Sequence, residues 1–118
     1  MEIKSIQPTA RFKADLANGQ HIELEVAYIA MDEVKDYVKP GEQYRQSKVF
    51  RKMLIDAVSG WDLTSDGQAI QCNAENRDKY LPIILGLQLK VEEGEKYGDV
   101  LGVALLGFAA DSENFLKN

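Results

Sequence analysis

The sequence predicts an α+β fold: an N-terminal antiparallel β-hairpin packed against a mainly α-helical body. Three observations carry this. Residues 10–28 alternate apolar and polar around an Asn-Gly pair, apolar residues recur at helical spacing from Met31 onward, and turn residues cut the remainder into short segments. A chain of 118 residues is the size of one domain with a single core. We therefore expect one domain over residues 1–118, with the hairpin at about 9–29 and the helical body at about 31–118.

The hairpin reading is the most constrained. Ala10, Phe12, Ala14 and Leu16 share one parity, and Ile22, Leu24, Val26 and Tyr28 share the matching one across Asn18-Gly19. A two-residue Asn-Gly loop would set Phe12 against Glu25 and Leu16 against His21, mixing apolar and polar on both faces. A three-residue loop, Ala17-Asn18-Gly19, instead pairs Phe12 with Leu24 and Ala14 with Ile22, and on the other face Lys13 with Glu23 and Arg11 with Glu25. Gly19 then takes the left-handed third position of a bulged turn. His21 falls beside Asp15, as an exposed cross-strand contact or, functionally, a pH-sensing pair.

Two helices follow. Met31, Val34, Tyr37 and Val38 have helical spacing, Asp32 and Glu33 suit a first turn, and Pro40-Gly41 is a stop. Residues 42–61 read as the strongest helix, with Phe50, Met53, Leu54, Ala57, Val58 and Trp61 in one stripe and Gly60 just past its end. Arg45, Lys48, Arg51 and Lys52 are close in sequence, and a solvated helix side accounts for them more simply than a phosphate-binding patch.

The stretch Ser59 to Asn76 holds the single tryptophan, the single cysteine and two aspartates at calcium-loop spacing. Asp62, Thr64 and Asp66 followed by Gly67 match the first half of such a loop. The second half fails, because position twelve is Asn73 where a bidentate glutamate is needed. The structural alternative explains more: Asp66-Gly67 is a turn between Leu63 and Ile70, Asn73 caps a helix starting at Ala74, Glu75 sits at its positive end, and Trp61 packs where the preceding helix stops. Cys72 lacks a base, since the single histidine is on the hairpin, and reads as a small structural residue.

Beyond Ala74 we expect a short helix, a break near Pro82 and a second helix to about Glu93, although Leu87, Leu89 and Val91 also alternate like a strand. Glu92, Glu93 and Glu95 read as a solvated face. Val100, Leu101, Ala104, Leu105 and Phe108 form one side of a last helix, which Gly102 and Gly107 weaken. Phe115 and Leu116 either contact a partner or dock back on the core.

Composition excludes several classes. A net charge of −5 argues against a nucleic-acid partner. One cysteine and one histidine supply too few ligands for a zinc site and no internal disulfide. No basic segment followed by an apolar run opens the chain, and no apolar run is long enough to span a bilayer, so neither a signal peptide nor a membrane partner is expected. No catalytic, cofactor-binding or metal-binding residues are assigned, no cofactor is expected, and the chain reads as a non-enzyme.

The order of elements in residues 54–81 resembles the phage and prophage tail assembly chaperones. Members of that family often show a helix ending in Gly-Trp, then an Asp-Gly turn, then a segment leading to Glu-Asn and a helix. Here these are Gly60-Trp61, Asp66-Gly67 and Glu75-Asn76, with Cys72-Asn73 where such proteins often carry an aromatic, Thr or Ser. The looser likeness covers roughly residues 10 to 90. The resemblance implies a protein of the bacterial host's cytoplasm that binds the tape measure protein, keeps it soluble and recruits tail tube protein, without catalysis. It also implies a longer product made by frameshifting near the end of the short frame, for which Leu116-Lys117-Asn118 allows a slippery codon run. Self-association stays open. Two alternatives remain: a structural tail-completion or tube-associated morphogenesis protein, and a small metal-binding regulator.

Overall fold

The computed structural model describes residues 5–30, 48–94 and 99–117. Within them run β1 (Ser5–Ile6), β2 (Thr9–Asp15), β3 (His21–Ala27), α1 (Lys48–Ala57), β4 (Val58–Trp61), β5 (Thr64–Ser65), β6 (Gln68–Ala69), α2 (Ala74–Ile84), α3 (Leu101–Ala109), a 3-10 turn (Ser112–Phe115) and β7 (Leu116–Lys117). The fold is α+β, and the hairpin opens it as the sequence predicts. The expected helix around Met31–Val38, its Pro40-Gly41 stop, and Arg45 lie outside the described residues.

The hairpin register is the three-residue-loop register. Phe12 faces Leu24, Ala14 faces Ile22, Lys13 faces Glu23 and Arg11 faces Glu25. The Leu16 N–H donates to the Gln20 carbonyl at 2.8 Å and closes the loop, with Gly19 at φ +89°. Period-two alternation makes one face apolar and leaves the other to charged pairs: Arg11 to Glu25 at 3.1 Å and Lys13 to Glu23 at 3.7 Å. Exposed pairs of this kind contribute at most about 1 kcal/mol each, so burial of the apolar face carries the energetics.

The body after the hairpin is more mixed than a run of helices. Helix α1 stops at Ala57, before Gly60, and Val58–Trp61 forms a third strand in the order β2-β3-β4. Val58 faces Val26, Gly60 faces Glu25 and Trp61 faces Leu24, with an irregularity between Glu25 and Val26 that leaves Ser59 as the extra residue. The stripe containing Val58 and Trp61 thus ends in extended backbone, because the open edge of β3 offers ladder bonds that a further helical turn would forgo. Gly60 lies in the strand and does not end a helix, and a Cβ there would lie a close 3.3 Å from Glu25 Cγ.

The second correction falls after Pro82. Helix α2 passes through Pro82 to Ile84, and no second helix follows over residues 87–93. That segment is extended: Leu89 bridges Leu16, Gln88 bridges Val100, and the Lys90 N–H donates to the Asp15 carbonyl at 2.9 Å. The strand-like alternation of Leu87 and Leu89 was the stronger signal there.

The core lies under the apolar face of the sheet. Leu24, Val26, Val58, Leu81, Leu101 and Leu105 are fully buried, joined by Leu54, Ile55, Phe12 and Ala109. Each large side chain of this set contributes roughly 1.5–3 kcal/mol by leaving water. Phe115 docks back on this core and is buried, which removes it as an exposed partner contact. Helix α3 begins hard against the end of α2, where a Cβ on Gly102 would lie 3.0 Å from the Leu85 carbonyl oxygen. Since that atom is backbone and the Gly102 N–H donates to it at 2.9 Å, Gly102→Ala is expected to lower stability by about 1–3 kcal/mol. The readout is a lower urea midpoint at unchanged slope. Leu24→Ala is expected to cost about 2–5 kcal/mol in the same assay.

Candidate functional site

The segment from Val58 to Arg77 is built as a joint. Strand β4 ends at Trp61, and β5 and β6 pair around Asp66 (φ 51°) and Gly67 (φ +79°). Two successive positive φ angles define the tight hairpin turn that Asp-Gly favours. Leu63 and Ile70 close the base, the Ile70 N–H donating to the Leu63 carbonyl at 2.9 Å. The Trp61 indole N–H donates to the Ile70 carbonyl at 2.7 Å, so the tryptophan spans the small hairpin while its ring packs, half-buried, against the core.

Asn73 is the N-cap of α2. Its Oδ1 accepts from the Asn76 N–H at 2.8 Å, and the Asn76 side-chain amide donates back to the Gln71 carbonyl at 2.8 Å. Glu75 lies in the first turn, where the helix dipole favours it. The Gly-Trp and Asp-Gly elements therefore belong to a small hairpin closed by Trp61, and the Glu-Asn element to the capped start of the helix that follows it.

Two residues fix this unit to the rest of the fold, and sequence reasoning missed both roles. Asp62 Oδ1 accepts from the Glu23 N–H at 3.1 Å, and its own N–H donates to the Glu23 carbonyl at 3.3 Å. Arg77 Nη1 donates to the Val58 carbonyl at 3.0 Å, while its Nε is buried without a hydrogen-bond partner among the described residues. Both partners are backbone groups far along the chain, which leave no trace in a residue pattern.

The two aspartates of the half calcium loop have other roles here: Asp62 accepts from the β3 backbone, and Asp66 sits in a tight turn. Among the described residues no three His, Cys, Asp or Glu side chains are grouped to hold a metal ion. Cys72 is half-buried and not disulfide-bonded. Burial pushes its thiol pKa up, outweighing the nearby Arg77 guanidinium, and a thiol kept protonated is a poor nucleophile. On the basic helix side, Lys52 Nζ lies 3.1 Å from Asp56 and 3.7 Å from Asp78. That pairing spends the charge within the protein and fits a solvated face.

His21 does meet Asp15, Nδ1 to Oδ1 at 2.9 Å, with its Nε2 at 3.6 Å from Glu23. The contact with Asp15 raises the His21 pKa above its ordinary 6.5, helped by Glu23 and opposed by partial desolvation. An open groove of about 370 Å³ adjoins the pair, lined by Phe12, Lys13, Ala14, Leu89, Lys90 and Ala104 among others. Asp15, His21 and Glu92 complete its lining, and it is open to solvent.

No protein-family model, no curated protein and no solved structure matches this chain. No helix among the described residues is long and apolar enough to cross a membrane.

Three outcomes follow from the joint and the pair. Asn73→Ala is expected to lower stability by about 0.5–2 kcal/mol through loss of the cap. Trp61→Phe keeps most of the ring but orphans the Ile70 carbonyl, and is expected to cost about 0.5–1.5 kcal/mol by chemical denaturation. A histidine pKa raised by folding stabilises the protein fully below the unfolded value of about 6.5 and loses that contribution as pH rises through the raised value. NMR titration is therefore expected to give His21 a pKa above 6.5, and Asp15→Asn to bring it down.

Proposed function

We propose that this chain is a non-catalytic, tail assembly chaperone-like protein, acting in the cytoplasm of a bacterial host. It binds a tape measure protein and aids assembly of tail tube protein around it. The observation that carries the reading is the unit built from Gly60-Trp61, Asp66-Gly67 and Glu75-Asn76. These are the elements on which the resemblance rests; here Trp61 spans the small hairpin to Ile70, and Asn76 ties the start of α2 to Asn73 and Gln71. The three elements thus follow one another through a stretch whose turns are fixed by local hydrogen bonds.

The physical requirements of such a role are modest. An acidic domain of net charge −5 stays soluble beside a long apolar client and repels its own copies. Large apolar residues exposed among those described include Tyr28, Ile83 and Val91, of which Ile83 stands well out from the end of α2. A helical client is bound through apolar contacts at helical spacing, so binding is expected to be driven by surface of this kind.

The test is co-expression with the long helical product of a neighbouring tail gene, followed by affinity capture. The expected result is a soluble complex, with the client insoluble when expressed alone. Failure to capture such a partner removes the chaperone reading. Recovery of the protein from mature particles by mass spectrometry favours the structural morphogenesis alternative instead, because a chaperone leaves before assembly is complete.

A further inference from the structure

The tip of the β2–β3 hairpin holds a reactive pair. Ala17, Asn18, Gly19 and Gln20 are all exposed, and Gly19 sits at φ +89°. Asn18 Oδ1 accepts from the Gln20 N–H at 2.9 Å, and Asn18 Nδ2 donates to Gln20 Oε1 at 3.2 Å. The small ring closed by the first of these bonds contains both the Asn18 Cγ and the Gly19 nitrogen. Donation to Oδ1 also draws electrons from Cγ, which makes that carbon easier to attack. Gly19 carries no Cβ to hinder the approach of its own nitrogen. Water reaches the whole of this loop.

Three other asparagines among the described residues are placed differently. Asn73 Oδ1 caps α2, the Asn76 side-chain amide donates to the Gln71 carbonyl, and that of Asn114 donates to the Phe108 carbonyl. Each is followed by a residue with a Cβ whose backbone is set in a helix or 3-10 turn: Ala74, Arg77 and Phe115. Asn18 alone of these four combines exposure, a following glycine and a side chain folded over the next peptide.

We propose that Asn18 is a self-modification site, at which the Gly19 nitrogen displaces the side-chain amide and the product changes how the hairpin tip is held. Hydroxide takes the Gly19 amide proton, which gives up the 3.0 Å bond from that N–H to the Leu16 carbonyl. The nitrogen lone pair forms a bond to Cγ. The Cγ–Nδ2 bond breaks, and Nδ2 takes a proton from water and leaves as ammonia. Water then opens the cyclic imide. Addition at Cγ restores the ordinary peptide bond and leaves aspartate. Addition at the main-chain carbonyl carbon leaves the chain running through Cβ and Cγ, as isoaspartate. The sum is amide plus water giving carboxylic acid plus ammonia, with nothing oxidised or reduced.

The two products differ in what the tip retains. Aspartate keeps an oxygen for the Gln20 N–H and makes the net charge of −5 more negative by one. Isoaspartate adds a methylene to the main chain inside a loop whose length sets the register of both strands. The loop is tied on both sides, by the Leu16 N–H to the Gln20 carbonyl at 2.8 Å and the Ala17 N–H to the Gln88 carbonyl at 2.9 Å. The added length therefore loosens the Leu16–Gln20 closure. None of this depends on the chaperone reading.

The test incubates the purified full chain at neutral pH, followed by tryptic digestion and mass spectrometry. The peptide from Ala14 to Lys35 carries Asn18 and no other asparagine. It is expected to exchange its amide for a carboxyl group before the peptides carrying Asn73, Asn76 and Asn114 do, and faster as pH rises. Part of the product is expected to accept a methyl group from an isoaspartyl carboxyl methyltransferase used as reagent. Asn18→Ser keeps a side-chain oxygen in the turn and is expected to abolish the change in that peptide. The isoaspartyl form, isolated as intact protein, is expected to exchange the Leu16 amide proton faster than the parent, while Asn18→Asp exchanges it like the parent. Reaction at Asn18 no faster than at Asn73, Asn76 and Asn114 overturns the proposal, as does reaction in urea with none in the native protein. An isoaspartyl form whose Leu16 exchange matches the parent overturns the effect on the hairpin.

Discussion

Leu24 and Val26, both fully buried, lie on the central strand of a sheet that has one apolar face, and covering that face places every other element. Strand β2 brings Ala10 and Phe12 to it, Leu16 follows just past its end, β4 brings Val58, and helices α1, α2 and α3 bring Leu54, Ile55, Leu81, Leu101 and Leu105. A hairpin alone cannot bury an apolar face, so it is stable only with this cover. The cover comes from segments far apart in sequence, and several features reflect the need to close them over one face: the glycine contact between α2 and α3, the Arg77–Val58 bond and the docking of Phe115.

Legibility in the sequence followed the range of the interactions. The hairpin was readable to the residue, because alternation and cross-strand charge both depend on neighbours a turn apart. The Asp66-Gly67 turn and the Asn73 cap were readable for the same reason, each being set within four residues. Strand β4 was not. Val58 and Trp61 fit a helical stripe as well as a strand, and only the open edge of β3, more than thirty residues earlier, decides between them. Residues 87–90 carried a visible period-two signal; α2 does end two residues past Pro82, but the chain continues as an extended segment and not as a second helix. For Phe115 the sequence left docking and partner contact equally open, and its contacts with the Tyr28 and Phe108 rings, one far away and the other on another element, decide for docking.

The joint between β4 and α2 shows how an apparent site can be an assembly of turns. Its tryptophan, Asp62 and both asparagines are each engaged by a backbone group: Trp61 by Ile70, Asp62 by Glu23, Asn73 by Asn76, and Asn76 by Gln71. Polar side chains that satisfy backbone groups hold a shape and have little left for a substrate. Shape is also what a binding protein needs to present, since recognition through apolar contacts depends on where helices are held.

The charged face of the hairpin has a consequence for life at high concentration. Its positive residues, Arg11 and Lys13, are on β2, and their acidic partners, Glu23 and Glu25, are on β3. Within one molecule the columns attract. Among the described residues strand β2 is also an edge of its sheet, covered toward its end by the Leu89 segment. If two molecules approached edge to edge, antiparallel pairing of their β2 strands would set one cationic column directly against the other. Like charges in opposed positions destabilise a ladder, and charged edge residues are a common guard against such growth. The arrangement that steadies the hairpin from within thus also disfavours antiparallel pairing of β2 with the same strand of another copy.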